Sequence, residues 1–312
     1  MSRRLVNILV AIFICALRSL SVQAHVGTGI DVDREGRVYF TDTIHNRIWR
    51  LDPDGKLVPL ALDMHLDFLI VADDGNIYLI DDRVWRLTPQ GQLTELLRST
   101  EIPKTIAWAF AFDDRGNVIG PQPRFGKVNA AAIGPDGSIY ALDQEQHIQK
   151  VGPDGAVSAL PHSEEACYAE GGEEKRQRIM GLAVDSESNI YVANYWKRSV
   201  FKLTPQGTIT AVLISQWPWV PVGVAATSTD VYVIERMSNP YGPSGLLQVL
   251  TLEDRLGSPK IRKISRDGAI LTVAVVPAER SLAAIVVPFA VVIVLFVLWR
   301  IRRKQLKRTA SS

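Results

Sequence analysis

The fold of this chain is decided by a stretch near its N-terminus, Gly29-Ile30-Asp31-Val32-Asp33-Arg34-Glu35-Gly36-Arg37-Val38-Tyr39-Phe40. An apolar segment runs into an acidic turn that contains Gly, and a second apolar segment containing Tyr follows. Gly accepts the backbone conformation that tight turns require, and Asp favours turns because its side chain bonds to nearby backbone amides. The stretch therefore predicts two short antiparallel strands joined by a tight turn.

The same unit returns along the chain, and a second kind of turn follows several copies. Clear copies span residues 70–79 and 132–140, two more lead to Tyr191 and Tyr232, and a weaker copy without Tyr spans 109–118. The second turn reads Asp52-Pro53-Asp54-Gly55, Thr88-Pro89-Gln90-Gly91, Gly152-Pro153-Asp154-Gly155 and Thr204-Pro205-Gln206-Gly207. Four short strands in a unit of roughly 40 residues are typical of a β-propeller blade. A β-sandwich, the competing all-β architecture, does not predict a self-similar unit of this length.

The inner strands of the predicted blades begin at six positions, which favours six blades, one of them irregular. These positions are Thr28, Phe68, Trp108, Asn129, Met180 and Val222, with spacings of 40, 40, 21, 51 and 42 residues. The short third interval predicts a truncated or displaced unit, and the long fourth interval predicts an insertion near residues 161–178. Strands at Leu246–Leu252, Lys260–Ile264 and Ala269–Val276 are expected to complete the last blade. A five-bladed or irregular propeller is the alternative.

One copy carries a resemblance to a known family. The run Val38-Tyr39-Phe40-Thr41-Asp42-Thr43-Ile44-His45-Asn46-Arg47-Ile48, followed by Leu51-Asp52-Pro53-Asp54-Gly55, resembles a unit of the NHL-repeat propellers and of the related SMP-30/gluconolactonase superfamily. The resemblance covers about residues 27–275 and implies an all-β, six-bladed propeller. Propellers of this kind host enzymes, sensors and docking modules, so the resemblance implies a fold more than a function.

The resemblance also implies where a metal would sit, because the lactonases hold a divalent ion at the starts of the inner strands with Glu, Asp and Asn. Carried onto this sequence, the Glu falls on Thr28, the second Asn on Met180 and the Asp on Val222. Only Asn129 keeps a ligand-type residue, and a single neutral amide cannot hold Ca²⁺ or Zn²⁺. We therefore predict no metal site and no cofactor, and we assign no catalytic residue.

A second set of polar residues recurs three positions after each Tyr. Its members are Asp42, Asp81, Asp143, Asn194 and Glu235. Converging carboxylates could bind a cation or a basic ligand. A structural role as turn caps is favoured instead, because the position recurs in every unit whereas a binding site would use only some of them.

The six inner-strand starts are expected to surround the mouth of the propeller channel. Together with Trp217 and Trp219 they form the candidate ligand-binding surface: Thr28, Phe68, Trp108, Asn129, Met180, Val222, Trp217 and Trp219. Each Trp alone is also consistent with core packing. A cluster of aromatic side chains at a channel mouth indicates a surface for a small molecule or a protein partner.

The two ends of the chain have the charge pattern of a membrane protein. The whole chain carries a formal charge of +2, yet its ends hold nine basic residues and no acidic ones, which leaves 26 basic against 33 acidic residues in the body. An acidic body argues against nucleic-acid binding, which requires a basic surface. Residues 1–24 combine Arg3 and Arg4 with a short apolar run and Val22-Gln23-Ala24, the pattern of a cleavable secretory signal. An uncleaved anchor is the alternative.

The C-terminal region predicts a single membrane-spanning helix. Residues 281–299 include the uncharged run Leu282–Trp299, and residues 300–312 form a basic tail. Eighteen uncharged residues are long enough to cross a bilayer, and basic residues remain on the cytoplasmic side. A buried core element is the alternative. We therefore expect a single-pass protein whose body, residues 25–278, lies in the periplasm or outside the cell, with a cytoplasmic C-terminus.

These observations predict a propeller that is anchored in the membrane and lies outside the cytoplasm. We expect it to act as a binding or sensing module for a small-molecule or protein ligand. A membrane complex is a further candidate partner. The alternative is a lactone or ester hydrolase, or a lyase, with its active site at the channel. Under that alternative the protein would use Ca²⁺ or Zn²⁺. Because the metal-ligand pattern is mostly unmatched, the sequence favours the non-enzymatic reading.

Overall fold

The structure is a computed structural model of the chain. It describes residues 29–42, 46–60, 66, 68–72, 74–80, 83–97, 111–112, 118–119, 130–142, 147–154, 156–160, 179–237 and 258–277. The strands described below belong to one compact unit, formed by residues 24–238 and 259–276.

Five four-stranded antiparallel sheets form five blades, and each sheet is built from strands that follow one another along the chain. The first blade contains β1 (Ile30–Val32), β2 (Val38–Asp42), β3 (Arg47–Leu51) and β4 (Leu57–Leu60). The second contains β5 (Phe68–Val71), β6 (Ile77–Ile80), β7 (Val84–Leu87) and β8 (Leu93–Leu97). A two-stranded sheet follows, made of β9 (Ala111–Phe112) and β10 (Val118–Ile119).

The C-terminal half of the body contributes the remaining three blades. The third contains β11 (Ala131–Ile133), β12 (Ile139–Leu142), β13 (Ile148–Val151) and β14 (Val157–Ala159). The fourth contains β15 (Ile179–Val184), β16 (Ile190–Asn194), β17 (Ser199–Leu203) and β18 (Ile209–Ile214). The fifth contains β19 (Trp219–Ala226), β20 (Asp230–Met237), β21 (Lys260–Ser265) and β22 (Ile270–Val275).

Tight turns join the first strand to the second and the third strand to the fourth in these blades. In the turn at 52–55, the Gly55 amide donates to the Asp52 carbonyl at 2.9 Å, and Gly55 has a φ of 86°. That backbone conformation strains a residue with a Cβ, which explains why Gly ends the Pro-x-Gly motif. We call the end of each blade that carries these turns the lower end.

The Tyr of the repeated unit has a structural partner in its own turn. The Tyr39 hydroxyl donates to Asp33 Oδ2 at 3.1 Å, and the Tyr191 hydroxyl donates to Asp185 Oδ2 at 3.0 Å. In both cases the acceptor lies six residues before the Tyr. Burial, together with the nearby Asp33 charge, raises the pKa of Tyr39 to about 12, so the phenol remains a donor at neutral pH.

The first strands of the blades contact one another, so they form the inner strands: β1 contacts β5 and β19, and β15 contacts β11 and β19. Separate apolar clusters fill the interfaces between adjacent blades. Phe40 and Ile234 belong to the cluster between the first and fifth blades, and Ile48 and Leu79 to the one between the first and second. Further clusters join the third blade to the fourth and the fourth to the fifth. The core is therefore distributed between the blades rather than gathered at one centre.

The predicted β-propeller is confirmed, with five four-stranded blades in the described part of the chain. In the described residues, the unit with the short interval contributes the two-stranded β9–β10 sheet. The described residues thus show five full blades rather than the six favoured from the sequence. The fifth blade is complete without the predicted strand Leu246–Leu252, which lies outside the described residues, as does the insertion at 161–178.

Within the described ranges, no helix has the length and apolar character needed to cross a bilayer. The predicted signal at residues 1–24 and the predicted span at residues 281–299 both lie outside these ranges.

Candidate functional site

The inner strands begin, and the second strands end, at the end of the blade opposite the tight turns, which we call the upper end. In the fourth blade Ile179 pairs with Asn194, and in the fifth Pro221 pairs with Glu235. The upper ends of neighbouring blades lie together: Arg236 Nη2, from the fifth blade, donates to the Thr41 carbonyl of the first at 3.3 Å. The candidate residues that are described, Phe68, Met180, Trp217, Trp219 and Val222, all lie towards the upper ends of their blades.

A β-bulge interrupts the inner strand at the same position in the fourth and fifth blades. The pairing shifts between Ile179 and Gly181, which leaves Met180 as the extra residue, and between Pro221 and Gly223, which leaves Val222 as the extra residue. Bulges re-aim side chains and are common beside functional sites. The sequence alignment that made Met180 and Val222 equivalent agrees with this register.

The two bulged residues differ in exposure. Met180 is half-buried and packs against the cluster between the first and fifth blades, whereas Val222 is 0% exposed and belongs to that cluster. Val222 therefore offers no surface to a ligand in this arrangement. Phe68 begins β5, at the position predicted for it. Thr28, Trp108 and Asn129 lie outside the described residues.

Three members of the recurrent polar ring are described, and all three are buried at the upper end: Asp42, Asn194 and Glu235. Asn194 acts as a turn cap, because its Oδ1 accepts the Lys197 amide at 2.9 Å. Asp81 and Asp143 lie outside the described residues.

Glu235 departs from the capping role and forms an ion pair. Its Oε2 lies 2.7 Å from Lys260 Nζ, and the two side chains are 1% and 13% exposed. The Lys260 ammonium also lies 4.1 Å from the centroid of the Trp219 ring. An aromatic face attracts a cation, so Trp219 and Glu235 hold one ammonium from two sides. This group joins a candidate residue of the channel mouth to a member of the polar ring.

Asp42 lies close to a second buried cation. Burial lowers the pKa of the Arg236 guanidinium, and the negative charge of Asp42 opposes that change. Arg236 is 5% exposed and Asp42 is 0% exposed. Buried charges of this kind require paired partners. The upper end thus holds buried acidic and basic groups from the first and fifth blades.

Aromatic side chains stand at the upper end beside these charges. Trp217, in the connection from β18 to β19, is 66% exposed, and Trp219 is half-buried under Lys260. Sequence reasoning missed Trp196, in the turn between β16 and β17, which is 54% exposed. Its position in the repeated unit could have indicated it, because every connection from a second to a third strand lies at the upper end.

A carboxylate links two blades on the inner strands. Asp31, in β1, accepts the Val71 amide of β5 on Oδ2 at 2.7 Å and the Val32 amide on Oδ1 at 2.8 Å. Burial raises the pKa of Asp31 to about 6, although both amides stabilise the carboxylate and act in the opposite direction. The sequence did not identify Asp31 as a candidate, because its partner Val71 lies 40 residues away and no neighbouring residue indicates the contact.

The described residues contain no group of three or more His, Cys, Asp or Glu side chains arranged to hold a metal ion. Of the lactonase-type ligand positions, Met180 and Val222 are described and neither carries a donor for a hard cation. The arrangement offers buried ion pairs and aromatic faces instead.

Comparisons with solved structures find similar chains at low sequence identity. A gluconolactonase from Xanthomonas campestris aligns with a TM-score of 0.52 at 13% identity, over 68% of this chain and 83% of its own. Regucalcin, a calcium-binding protein from Agrobacterium tumefaciens, aligns with a TM-score of 0.49 at 16% identity, over 68% and 83%. Virginiamycin B lyase from Staphylococcus aureus aligns with a TM-score of 0.48 at 15% identity, over 84% and 87%. No protein-family model and no curated protein sequence matches the chain.

Proposed function

We propose that this protein is a membrane-anchored extracytoplasmic β-propeller that binds a ligand or protein partner at the upper end of its fourth and fifth blades. The observation that carries the proposal is the group formed by Trp219, Lys260 and Glu235, where an indole, an ammonium and a carboxylate meet beside the bulged inner strands. Concave sites that recognise ligands combine apolar walls with a few fixed polar groups.

The group is held by rigid elements, which suits recognition. Trp219 begins β19, Glu235 lies within β20 and Lys260 begins β21, so three neighbouring strands of one sheet position the three side chains. Side chains on strands of a packed scaffold need little reorganisation when a ligand binds. The half-buried Met180, at the bulge of the fourth blade, packs against the apolar cluster between the first and fifth blades and adds an adaptable apolar side chain at the upper end.

The membrane anchor in this proposal depends on the sequence. The run Leu282–Trp299 is uncharged and is followed by a basic tail, which is typical of a single span with its C-terminus in the cytoplasm. The signal-like residues 1–24 place the body on the opposite side of the membrane.

Site-specific photocrosslinking in cells that produce the full chain tests the binding proposal. Replacing Trp219 by p-benzoylphenylalanine keeps an aromatic side chain at the proposed site, and the same replacement of Leu271, which is 57% exposed on β22 near the lower end, is the matched control. We expect covalent adducts of defined mass at position 219 and none at position 271. Equal labelling at both positions contradicts the proposal. So does the absence of adducts at position 219 in a variant whose melting temperature matches that of the wild type.

A second candidate function is hydrolysis or elimination on a lactone or ester substrate. The observation that favours it is the presence of buried acidic and basic groups at the upper end, since Glu235, Lys260, Asp42 and Arg236 include both proton donors and acceptors. Purified full-length protein should be assayed for hydrolysis of glucono-1,5-lactone with and without Ca²⁺ or Zn²⁺. Hydrolysis that rises with metal, accompanied by a metal-dependent increase in melting temperature, would favour the enzyme over the binding module.

A further inference from the structure

We propose that Trp196, Ile214 and Trp217, which we call the upper patch, rest in the headgroup region of the membrane that anchors the chain. The inference rests on the membrane anchor in the proposed function and adds the orientation of the body. The partner that covers the upper patch is the lipid surface.

Exposed apolar side chains are concentrated at the upper end. In the described part of the chain, five large hydrophobic side chains are more than half exposed: Ile214 at 70%, Trp217 at 66%, Leu271 at 57%, Val275 at 56% and Trp196 at 54%. All except Leu271 lie at the upper ends of the fourth and fifth blades. Contiguous exposed apolar surface is rare on soluble proteins and marks contact with a partner or a membrane.

The upper patch is held in place before any contact forms. The Ser215 amide donates to the Arg198 carbonyl at 2.7 Å, which joins the turn carrying Trp196 to the connection carrying Trp217. The Trp196 ring packs against Tyr195 in a T-shaped pair, with ring centroids 5.6 Å apart. Trp and Tyr prefer the membrane–water interface, where the ring is apolar and the N–H or O–H remains hydrated.

The charges of these two blades fit the same orientation. The two connections that carry the upper patch, residues 195–198 and 215–218, contain Lys197 and Arg198 and no acidic residue. The lower turns of the same blades carry four carboxylates, Asp185, Glu187, Asp230 and Asp267, against one cation, Arg266. Anionic lipid headgroups attract cations within about 10 Å and repel carboxylates, so this sector of the body would turn its upper end towards the lipid.

The exit of the chain supports the lipid surface as the occupant. Val275, the last residue of β22, pairs with Lys260, and the Val276 amide donates to the Pro259 carbonyl at 3.0 Å, so the chain leaves the fifth blade at its upper end. Only five residues lie between Val276 and Leu282, so the two Cα atoms can be at most roughly 20 Å apart. If Leu282–Trp299 is embedded, the length of this chain alone keeps Val276 close to the lipid surface.

The test uses the full chain in vesicles of phosphatidylcholine and phosphatidylglycerol, with lipids brominated near the headgroup as quenchers of Trp fluorescence. Trp299 lies in the predicted span and would be quenched in any case, so it is first changed to Phe. W299F is then compared with W196S/W217S/W299F, and L271S/W299F serves as the control at the lower end. Because both Trp residues are exposed, we expect the melting temperature to change little.

We expect brominated lipid to quench W299F and L271S/W299F equally, and to quench the W196S/W217S/W299F variant much less. Resistance to extraction by alkaline carbonate shows that the chain is embedded in the membrane. If W299F resists extraction but is quenched only weakly by brominated lipid, the inferred orientation is wrong and the membrane anchor is supported. Release of the chain by carbonate contradicts the anchor, and with it the orientation inferred here. Quenching by aqueous acrylamide distinguishes lipid from a second copy of the chain. If protection of these Trp residues depends on protein concentration rather than on lipid, a second copy covers the upper patch, and the proposal is overturned.

Discussion

The carboxylate of Glu235 and the ammonium of Lys260 form an ion pair at 2.7 Å inside the fifth blade, where the glutamate is 1% exposed. Removing one member of such a pair leaves an uncompensated buried charge, whereas replacing both with apolar residues removes the charge and its desolvation cost together. We therefore expect K260M to lower the free energy of unfolding by about 3 kcal/mol and E235M/K260M to recover most of that loss. Urea denaturation of the single and double variants measures the coupling.

The exposed pair between Arg266 and Glu187, also at 2.7 Å but with side chains 73% and 55% exposed, provides the control for this cycle. Water screens that pair, so R266M should cost less than about 1 kcal/mol. Equal losses for K260M and R266M would show that the Glu235 pair is not buried as described.

Asp31 should give the protein a pH-dependent stability that falls as pH rises through the acidic range. Its pKa is about 6 in the folded chain against 3.8 as the ordinary value, so the folded state binds the proton more tightly. Stability is therefore greatest below the ordinary value, declines between about pH 4 and pH 6, and is level above that range. The difference between the melting temperatures of wild type and D31N, recorded across this range, isolates the contribution.

The matched control for Asp31 is Asp74, an exposed carboxylate in the turn between β5 and β6 that accepts the Asn76 amide at 2.9 Å. The D74N variant should keep the wild-type decline between pH 4 and pH 6. A D31N variant that keeps the same decline would assign it to another group.

Gly181 should not tolerate a side chain, because two inner strands meet there. A Cβ at this position would lie 2.9 Å from Gly223 Cα and 2.9 Å from the Val224 nitrogen, both backbone atoms that cannot move independently. We expect G181A to destabilise the fold by about 2 kcal/mol or more, as overpacking of a tight core does. Thermal denaturation followed by circular dichroism measures the loss.

At Gly152 the first atom that a Cβ would meet is Asp154 Oδ1, the end of an exposed side chain, at 2.6 Å. That carboxylate can rotate away, so G152A should lower the melting temperature less than G181A. The reverse order would contradict the close approach of β15 and β19.

Asp185 should be the most costly turn residue to replace in the fourth blade. Its carboxylate accepts the amides of Glu187 and Asn189, both at 2.9 Å, the Asn189 side chain at 2.8 Å and the Tyr191 hydroxyl at 3.0 Å. Truncation leaves several donors without an acceptor, and we expect D185A to cost about 3 kcal/mol. Thr204 accepts one amide at 3.2 Å in the second turn of the same blade, so T204A, expected to cost less than about 1 kcal/mol, is the control.

Hydrogen exchange offers an independent readout for this turn. If Asp185 organises it as described, the Glu187 and Asn189 amides should lose protection in D185A, whereas amides in the third blade should not. Uniform loss of protection across both blades would indicate global destabilisation instead.

The repeated unit was predictable because its contacts are local. Asp185 and Tyr191 are six residues apart, and the Pro-x-Gly turns depend on neighbouring residues alone, so sequence spacing carries the information. Contacts between blades were not predictable. The bond from the Val71 amide to Asp31 spans 40 residues and involves a backbone donor that any residue type supplies.

In the candidate site, too, local features could be predicted from the sequence and contacts between distant residues could not. Trp217 and Trp219 were found because they come shortly before Val222, the predicted start of an inner strand. The partner of Glu235 was not found, because Lys260 lies 25 residues further along the sequence. Val222 occupies the predicted register but is buried, since a bulge decides whether its side chain faces the channel or the interface between blades. Register follows from the pattern, but side-chain direction at a bulge does not.

The ring has a joint where its two ends meet. The first blade takes all four of its strands from residues 30–60 and the fifth takes its four from residues 219–275, so no strand is shared across the joint. It is held instead by the apolar cluster that contains Phe40 and Ile234 and by the bond from Arg236 to Thr41. Each of these two blades is therefore built from one continuous segment, and closing the ring requires only that the first blade docks against the fifth.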